Sequence, residues 1–515
     1  MHPLLVAAFP VVFLFAQNVT EQFSLSPLWV PLLLAVGGAA VLLLVTLALA
    51  RAVGASPARA ALGLSLLIGL AMTYGHAWNL VGQSLGLHRY LLTAWALIAT
   101  AGLVLIWRLP PSAVRRATLG LTIAVGALIV VNLVPIAGLA IRSVSVAAPP
   151  QGGGGPSAEP GDGSMRDVWY IVPDRYAGAE GLRQIYGFDN SPFLDALRER
   201  GFEVAESATA TYLKTALSLL STLNLDELDF EALEAEATGG DDFGPIHRRL
   251  QEPHAVGRYL QERGYRYLHV GSIRGPTASN AAADEIFIYS LATEFGVVLG
   301  DTTLLRALER VAPRAFAPGL EELHAAQTEF QLRVLNDLAD APGRNFVFTH
   351  LLIPHPPYAF NADGSRVTEA QRASRTAEEQ YVEHVRFTNA RLLALIDRLH
   401  AGPPQSWPII VIAADEGPFP DRYAADEEHF GWLDARPDEL LGKFSILSAI
   451  SVPGVDRAGL ETAGFSDDTT LVNLFRIVFN AAFDDDLPML PSRNWVFVDQ
   501  LHIYDEVDVR DRIPT

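Results

Sequence analysis

The chain has no cysteine. That excludes a disulfide framework, a thiolate zinc site, an iron–sulfur cluster and a cysteine nucleophile. Charge is also scarce, at 19% of 515 residues, and it is unevenly spread. Residues 1–150 hold seven arginines, no lysine and one acid, Glu21. Their net charge is +6, so the remainder carries −26 to make the total of −20. A net charge of that sign argues against a nucleic-acid partner. Half of the residues are hydrophobic, which excludes a disordered or fibrous chain. The length exceeds one ordinary core and predicts at least two units.

Long apolar runs fill the first part, near 3–18, 28–50, 60–80, 90–107 and 117–141. A span needs about 17–25 such residues, so 1–144 reads as a transmembrane anchor of about five helices. The first run is short and carries Pro10. A cleaved signal peptide is its alternative reading, opposed by the lack of a basic leader and by the four runs that follow. Arg51 and Arg59 follow the second run, and Arg108, Arg115 and Arg116 follow the fourth. Arginine-rich loops stay inside. Five spans therefore place everything after residue 142 outside the membrane. Residues 145–164, SVAAPPQGGGGPSAEPGDGS, read as a flexible linker.

Residues 165–515 alternate short β-rich runs with amphipathic stretches. The runs are VWYIV (168–172), YRYLHV (265–270), NFVFTHLLI (345–353) and IIVIAA (409–414). The stretches include 191–201, 215–225 and 378–400. This alternation predicts an α/β domain with a mostly parallel central sheet.

Ligands of such sheets bind beyond the carboxyl ends of the strands. Asp174 follows the first run, and Asp415 and Glu416 follow the last. If those strands are neighbours, three carboxylates converge, and like charges repel unless one protonates or a cation binds. Oxygen-rich clusters favour Mg, Ca or Mn. Lys214 and Thr215 open a helix whose free N–H groups suit an anion. Thr215 is then a candidate nucleophile, and Lys214 a candidate partner for the bound anion. In THLLIPHPPYAF, His355 sits among Pro354, Pro356 and Pro357, which stiffen its backbone; it is a candidate for binding an anionic ester. His350 and His269 are weaker candidates, and His350 reads more readily as a packed residue.

In their order and spacing, WYIVPDRYA, KTALSLLSTLN, the His-Pro-Pro-Tyr loop and the strand leading to Asp-Glu-Gly resemble the alkaline phosphatase/sulfatase superfamily. The resemblance is to its membrane-anchored branch, with lipoteichoic acid synthase and lipid A phosphoethanolamine transferase. The chain also resembles bacterial sulfatase-like proteins that share YGFDNSPFLDALRERGF and a tail like LVNLFRIVFNAAF. The resemblance implies a multi-pass protein of the bacterial plasma membrane with an extracytoplasmic sulfatase-like catalytic domain at 165–515. It implies Asp174, Thr215 and Asp415 as metal ligands, Thr215 as nucleophile, and His355, with His269 nearby, as substrate-binding residues. The substrate implied is an anionic phospholipid or glycan of the envelope. One departure stands out. The family has Asp-His-Gly where this chain has Asp415-Glu416-Gly417. A carboxylate can still ligate, and the exchange favours Mn or Mg over Zn.

Three readings follow. The first is a metal-dependent phosphoryl or sulfuryl ester transferase or hydrolase. The absence of a Cys/Ser-x-Pro-x-Arg motif makes sulfate esters the poorer fit. The second, motivated by Glu416, is a pseudoenzyme serving as a membrane-anchored binding or scaffold domain. The third, a transporter, is opposed by the lack of acids within the spans.

Overall fold

The computed structural model describes residues 1–19, 25–85, 88–146, 166–273, 275–289, 294–308 and 320–514. From residue 147 onward the linker lies outside them. The chain divides into two compact units, Met1–Pro150 with Ser290–Leu320, and Gln151–Tyr289 with Glu321–Thr515.

The first unit is built on α1 (His2–Gln17), α2 (Ser26–Ala52), α3 (Pro57–Leu85), α4 (His88–Arg108) and α5 (Pro111–Val146). Among the described residues four helices, α2 to α5, are long and apolar enough to cross a membrane. The first expected span is the exception. With 16 residues, α1 rises only about 24 Å, short of the roughly 30 Å hydrocarbon core. It is nonetheless packed into the bundle. Ala7 shares a buried cluster with Ala39 of α2 and with Leu64 and Ile68 of α3. Such small residues let helix backbones approach closely. His2 Nδ1 meets Ser65 Oγ at 2.7 Å. Leucines and valines of α2, α4 and α5, among them Leu33, Leu34, Leu97, Leu105, Val130 and Val131, point outward, as lipid-facing surfaces do.

The second unit carries a seven-stranded sheet. Its strands are β1 (Val168–Pro173), β2 (Glu203–Val204), β3 (Arg266–Val270), β4 (Glu285–Phe287), β5 (Asn345–Leu351), β6 (Ile409–Ala413) and β7 (Ser448–Ser451). The order is β2-β7-β6-β1-β5-β3-β4. β6, β1, β5, β3 and β4 run parallel, and β7 pairs antiparallel with β6 and β2. β1, β5 and β6 are buried along their whole length, which is why they read as unbroken apolar runs. Helices cover the sheet. Phe475 of the helix Leu474–Phe483 meets Tyr170 of β1 edge-on at 5.0 Å. Burying a phenylalanine this way contributes about 1.5–3 kcal/mol. The helix Ala377–Leu399 starts at a capping box between Thr376 and Glu379, which satisfies two otherwise orphaned N–H groups.

Candidate metal centre

The strand order seats β1 between β5 and β6, so three strand ends open side by side. Register places Val172 opposite His350 and Pro173 opposite Leu351. Asp174 leaves β1 at that level, its N–H donating to Leu351 O at 2.8 Å. Asp415 lies two residues past β6. The result is a buried group of Asp174, His350 and Asp415, whose ligand atoms lie within 4.8 Å of one another. His350 Nε2 stands 3.5 Å from Asp174 Oδ2 and 3.6 Å from Asp415 Oδ2. Thr215, the first residue of the helix Thr215–Asn224, lies beside the Asp415 carboxylate. Burial pushes the Asp415 carboxyl up. The neighbouring His350 and Thr215 and the charge of Lys443 pull it down by more, and the net shift is downward.

The imidazole of His350 is held from behind. Its Nδ1 meets Thr277 Oγ1 at 2.9 Å, and that hydroxyl also meets Ser272 Oγ at 2.7 Å. Orienting a ligating ring through its other nitrogen is a general device of metal sites. His269 belongs to this supporting layer. Its Nε2 donates to the Thr277 carbonyl at 3.0 Å, and its Nδ1 accepts from Tyr267 OH at 3.0 Å. Tyr267 OH in turn accepts from His254 Nε2 at 3.1 Å. Burial pushes His269 down to about 4 and His254 to about 3, so both rings are neutral.

Glu416 is not one of the group. Arg175 Nε donates to its Oε1 at 3.1 Å, and Lys443 Nζ forms an ion pair with its Oε2 at 3.0 Å. Arg175 has a left-handed backbone, φ 60°, uncommon outside glycine. Its N–H lies 3.3 Å from Asp415 Oδ1. Gly417 lets the Lys443 segment approach: a Cβ there would stand 2.1 Å from Gly442 O. Gly417 N–H donates to Lys443 O at 2.8 Å, and Lys443 Nζ returns a bond to Gly417 O at 2.8 Å. Burial, only partly offset by Glu416, brings Lys443 down to about 7. Lys214 turns to Tyr423 OH at 2.5 Å and Glu427 at 3.2 Å. Lys443, Arg175 and Lys214 all lie over the Phe419 ring, at 3.4, 4.4 and 4.7 Å. His355 is buried in the loop after β5, its Nδ1 against the Pro356 carbonyl, between cis peptides at Ile353–Pro354 and Pro356–Pro357.

The structure thus joins Asp174, Thr215 and Asp415, and adds His350, which sequence reasoning ranked below His355. Arg175 and Lys443 went unnoticed. The one available signal for Arg175 was its place directly after Asp174.

Two carboxylates, an imidazole and a hydroxyl form a donor set that fits a divalent cation.

No family model matches the chain, and no curated protein does. Among solved structures it is similar to members of the alkaline phosphatase superfamily, phosphoethanolamine transferases among them. One is the C-terminal periplasmic domain of EcEptC from Escherichia coli in complex with Zn, at 13% identity over 68% of this chain and 94% of that one, TM-score 0.43. Another is the integral membrane lipooligosaccharide phosphoethanolamine transferase A from Neisseria meningitidis, at 13% identity over 93% and 95%, TM-score 0.36. A third is an alkaline phosphatase superfamily protein from Vibrio parahaemolyticus, at 12% identity over 66% and 74%, TM-score 0.40.

Proposed function

We propose that the chain is a membrane-anchored, metal-dependent phosphoryl transferase or hydrolase with Thr215 as nucleophile, its α/β unit extracytoplasmic. The observation that carries this reading is the meeting of Asp174, His350 and Asp415 with the Thr215 hydroxyl at one end of a parallel sheet. Asp174, His350, Asp415 and Thr215 would hold the ion. When bound, a divalent ion lowers the pKa of a ligating hydroxyl and neutralises phosphoryl oxygens.

The chain's own residues do the rest. Thr215 Oγ gives up its proton to water as it attacks. Oγ forms a bond to phosphorus while the ester P–O bond breaks, and the departing alcohol takes up a proton. Water or an acceptor hydroxyl then attacks the phosphorylated Thr215 and releases it. Arg175 and Lys214, each partly exposed, set positive charge beside the incoming anion. His355 is a substrate-binding residue in this reading, and His269 supports His350 rather than touching substrate.

Glu416 is a counterion of Arg175 and Lys443. The nitrogen ligand comes from His350 on β5 instead of the residue after Asp415. The case for Mn or Mg over Zn rested on Glu416 as a third carboxylate ligand. With an imidazole in the set, Zn and Mn both fit. The envelope lipid or glycan substrate rests on the sequence resemblance and the membrane anchor.

The test uses the full chain in detergent, stripped of metal and then titrated with Mn or Zn, on a chromogenic phosphodiester. Turnover that needs metal and vanishes in Thr215→Ala supports the reading. Tight metal binding without turnover on any phosphodiester or monoester favours the scaffold alternative. No metal binding overturns the site.

A further inference from the structure

Residues 294–308 interrupt the sequence of the α/β unit, yet they group with the helices of the first unit. They form two short helices, Glu294–Asp301 and Leu305–Leu308. Phe295 and Leu299 share a buried cluster with Val11, Val12 and Phe15 of α1, Leu28 of α2 and Ile136 of α5. The Phe15 and Phe295 rings meet edge-on, 5.3 Å apart. Ala307 is buried with Tyr74 of α3 and Leu91 of α4. One short excursion thus packs into clusters that draw on all five helices. It does so at the end of the bundle where α1 finishes and α2 begins.

Between its two helices the excursion bonds to the backbone of α3. Gly75 N–H donates to Thr302 O at 2.8 Å, and Leu304 N–H donates to Ala71 O at 2.7 Å. Residues 71 and 75 supply the acceptor and donor of one rung of an α-helix. The excursion engages both. A Cβ at position 75 would stand 1.9 Å from Asp301 O, so glycine is required at this approach. One turn further on, Arg306 Nη1 donates to Asn79 Oδ1 at 2.8 Å. Away from water, backbone groups have few competing partners, so an unpaired one is costly. Paired groups in such surroundings hold firmly.

We infer that residues 294–308 are a second membrane attachment of the α/β unit, a dock on the backbone of α3 that acts independently of the glycine-rich linker. The chain passes between its two units three times, once through the linker and once on each side of the excursion. Cutting the linker leaves the α/β unit tied to the bundle by the dock.

The test uses the full-length protein in native membranes, with a specific protease site placed within residues 151–161. After cleavage and an alkaline carbonate wash, the C-terminal fragment is expected to stay with the membranes in the same proportion as the N-terminal one. The chain has no native cysteine, so Asn79→Cys with Arg306→Cys provides a clean thiol pair. A short thiol-specific crosslinker should join the two fragments into one species on a denaturing gel. Release of the C-terminal fragment by the wash overturns the inference. So does retention without crosslinking, because the fragment would then be held by lipid alone. Gly75→Leu should release the fragment after cleavage, while uncut Gly75→Leu protein stays in the membrane, which separates undocking from failed insertion. Retention in the cleaved Gly75→Leu protein counts against the dock.

Discussion

The Lys443 ammonium stands 3.0 Å from Glu416 Oε2, both side chains fully enclosed, while Arg175 holds the other oxygen at 3.1 Å. Glu416 therefore has a cation at each oxygen. Glu416→Gln removes the counter-charge that Lys443 and Arg175 share, and breaking a buried ion pair typically costs about 3–5 kcal/mol. Lys443→Met is milder, because Arg175 still neutralises Glu416. The expected order of thermal midpoints is wild type, then Lys443→Met, then Glu416→Gln. Glu416→His is expected to lower stability and to add no metal. Tighter metal binding in Glu416→His would refute the counterion assignment.

His350→Gln is expected to empty the site, as measured by metal content after dialysis. Thr277→Val keeps the ligand but removes the hydroxyl at His350 Nδ1. Losing such a support weakens metal affinity by roughly 10–100-fold. Affinity unchanged in Thr277→Val, read by competition with a chelator, would mean that Thr277 does not orient the ring.

Thr215→Ala is expected to lose turnover and keep metal, since Asp174, His350 and Asp415 remain. Thr215→Ser should recover part of the activity. Equal turnover in Thr215→Ala and the wild type would move the nucleophile elsewhere.

Acid should destabilise the α/β unit through its buried histidines. His384 is packed among Tyr358, Phe360 and Phe387, and burial, then the neighbouring His324, push it down to about 3. The unfolded chain takes up this proton near pH 6.5, the folded one only near 3. Between those values the unfolded state binds more protons, so stability is lost as pH falls. The slope is at most about 1.4 kcal/mol per pH unit for one such group. His384→Phe keeps a stacked ring and removes the titration. Its acid-unfolding midpoint, followed by near-ultraviolet circular dichroism, should lie at lower pH than that of the wild type.

The strands of the site were legible because burial on both faces writes them as apolar runs: VWYIV, NFVFTHLLI and IIVIAA are β1, β5 and β6. Asp174 and Asp415 were legible as acids that end such runs. His350 was not. Inside an apolar strand it reads as packing, and only the pairing of β5 with β1 brings it beside Asp174. Glu416 looked like a ligand because its partner Lys443 is 27 residues away and on no shared motif. The excursion at 294–308 was missed because its apolar stretch is too short to signal a span, and its destination is a tertiary fact.

That excursion also sets an order of assembly. Helix α5 ends at Val146 and the excursion begins at Glu294, so about 150 residues separate them. At roughly 5–20 residues per second, synthesis of that stretch takes on the order of 10–30 s. During this interval Phe15 and Gly75 lack their final partners, and the five helices form an unfinished bundle. The bundle is completed by a piece of chain made only after the first strands of the α/β unit. A ribosome stalled before residue 294 would therefore leave an incomplete anchor as well as a truncated domain, a surface that membrane quality control could recognise.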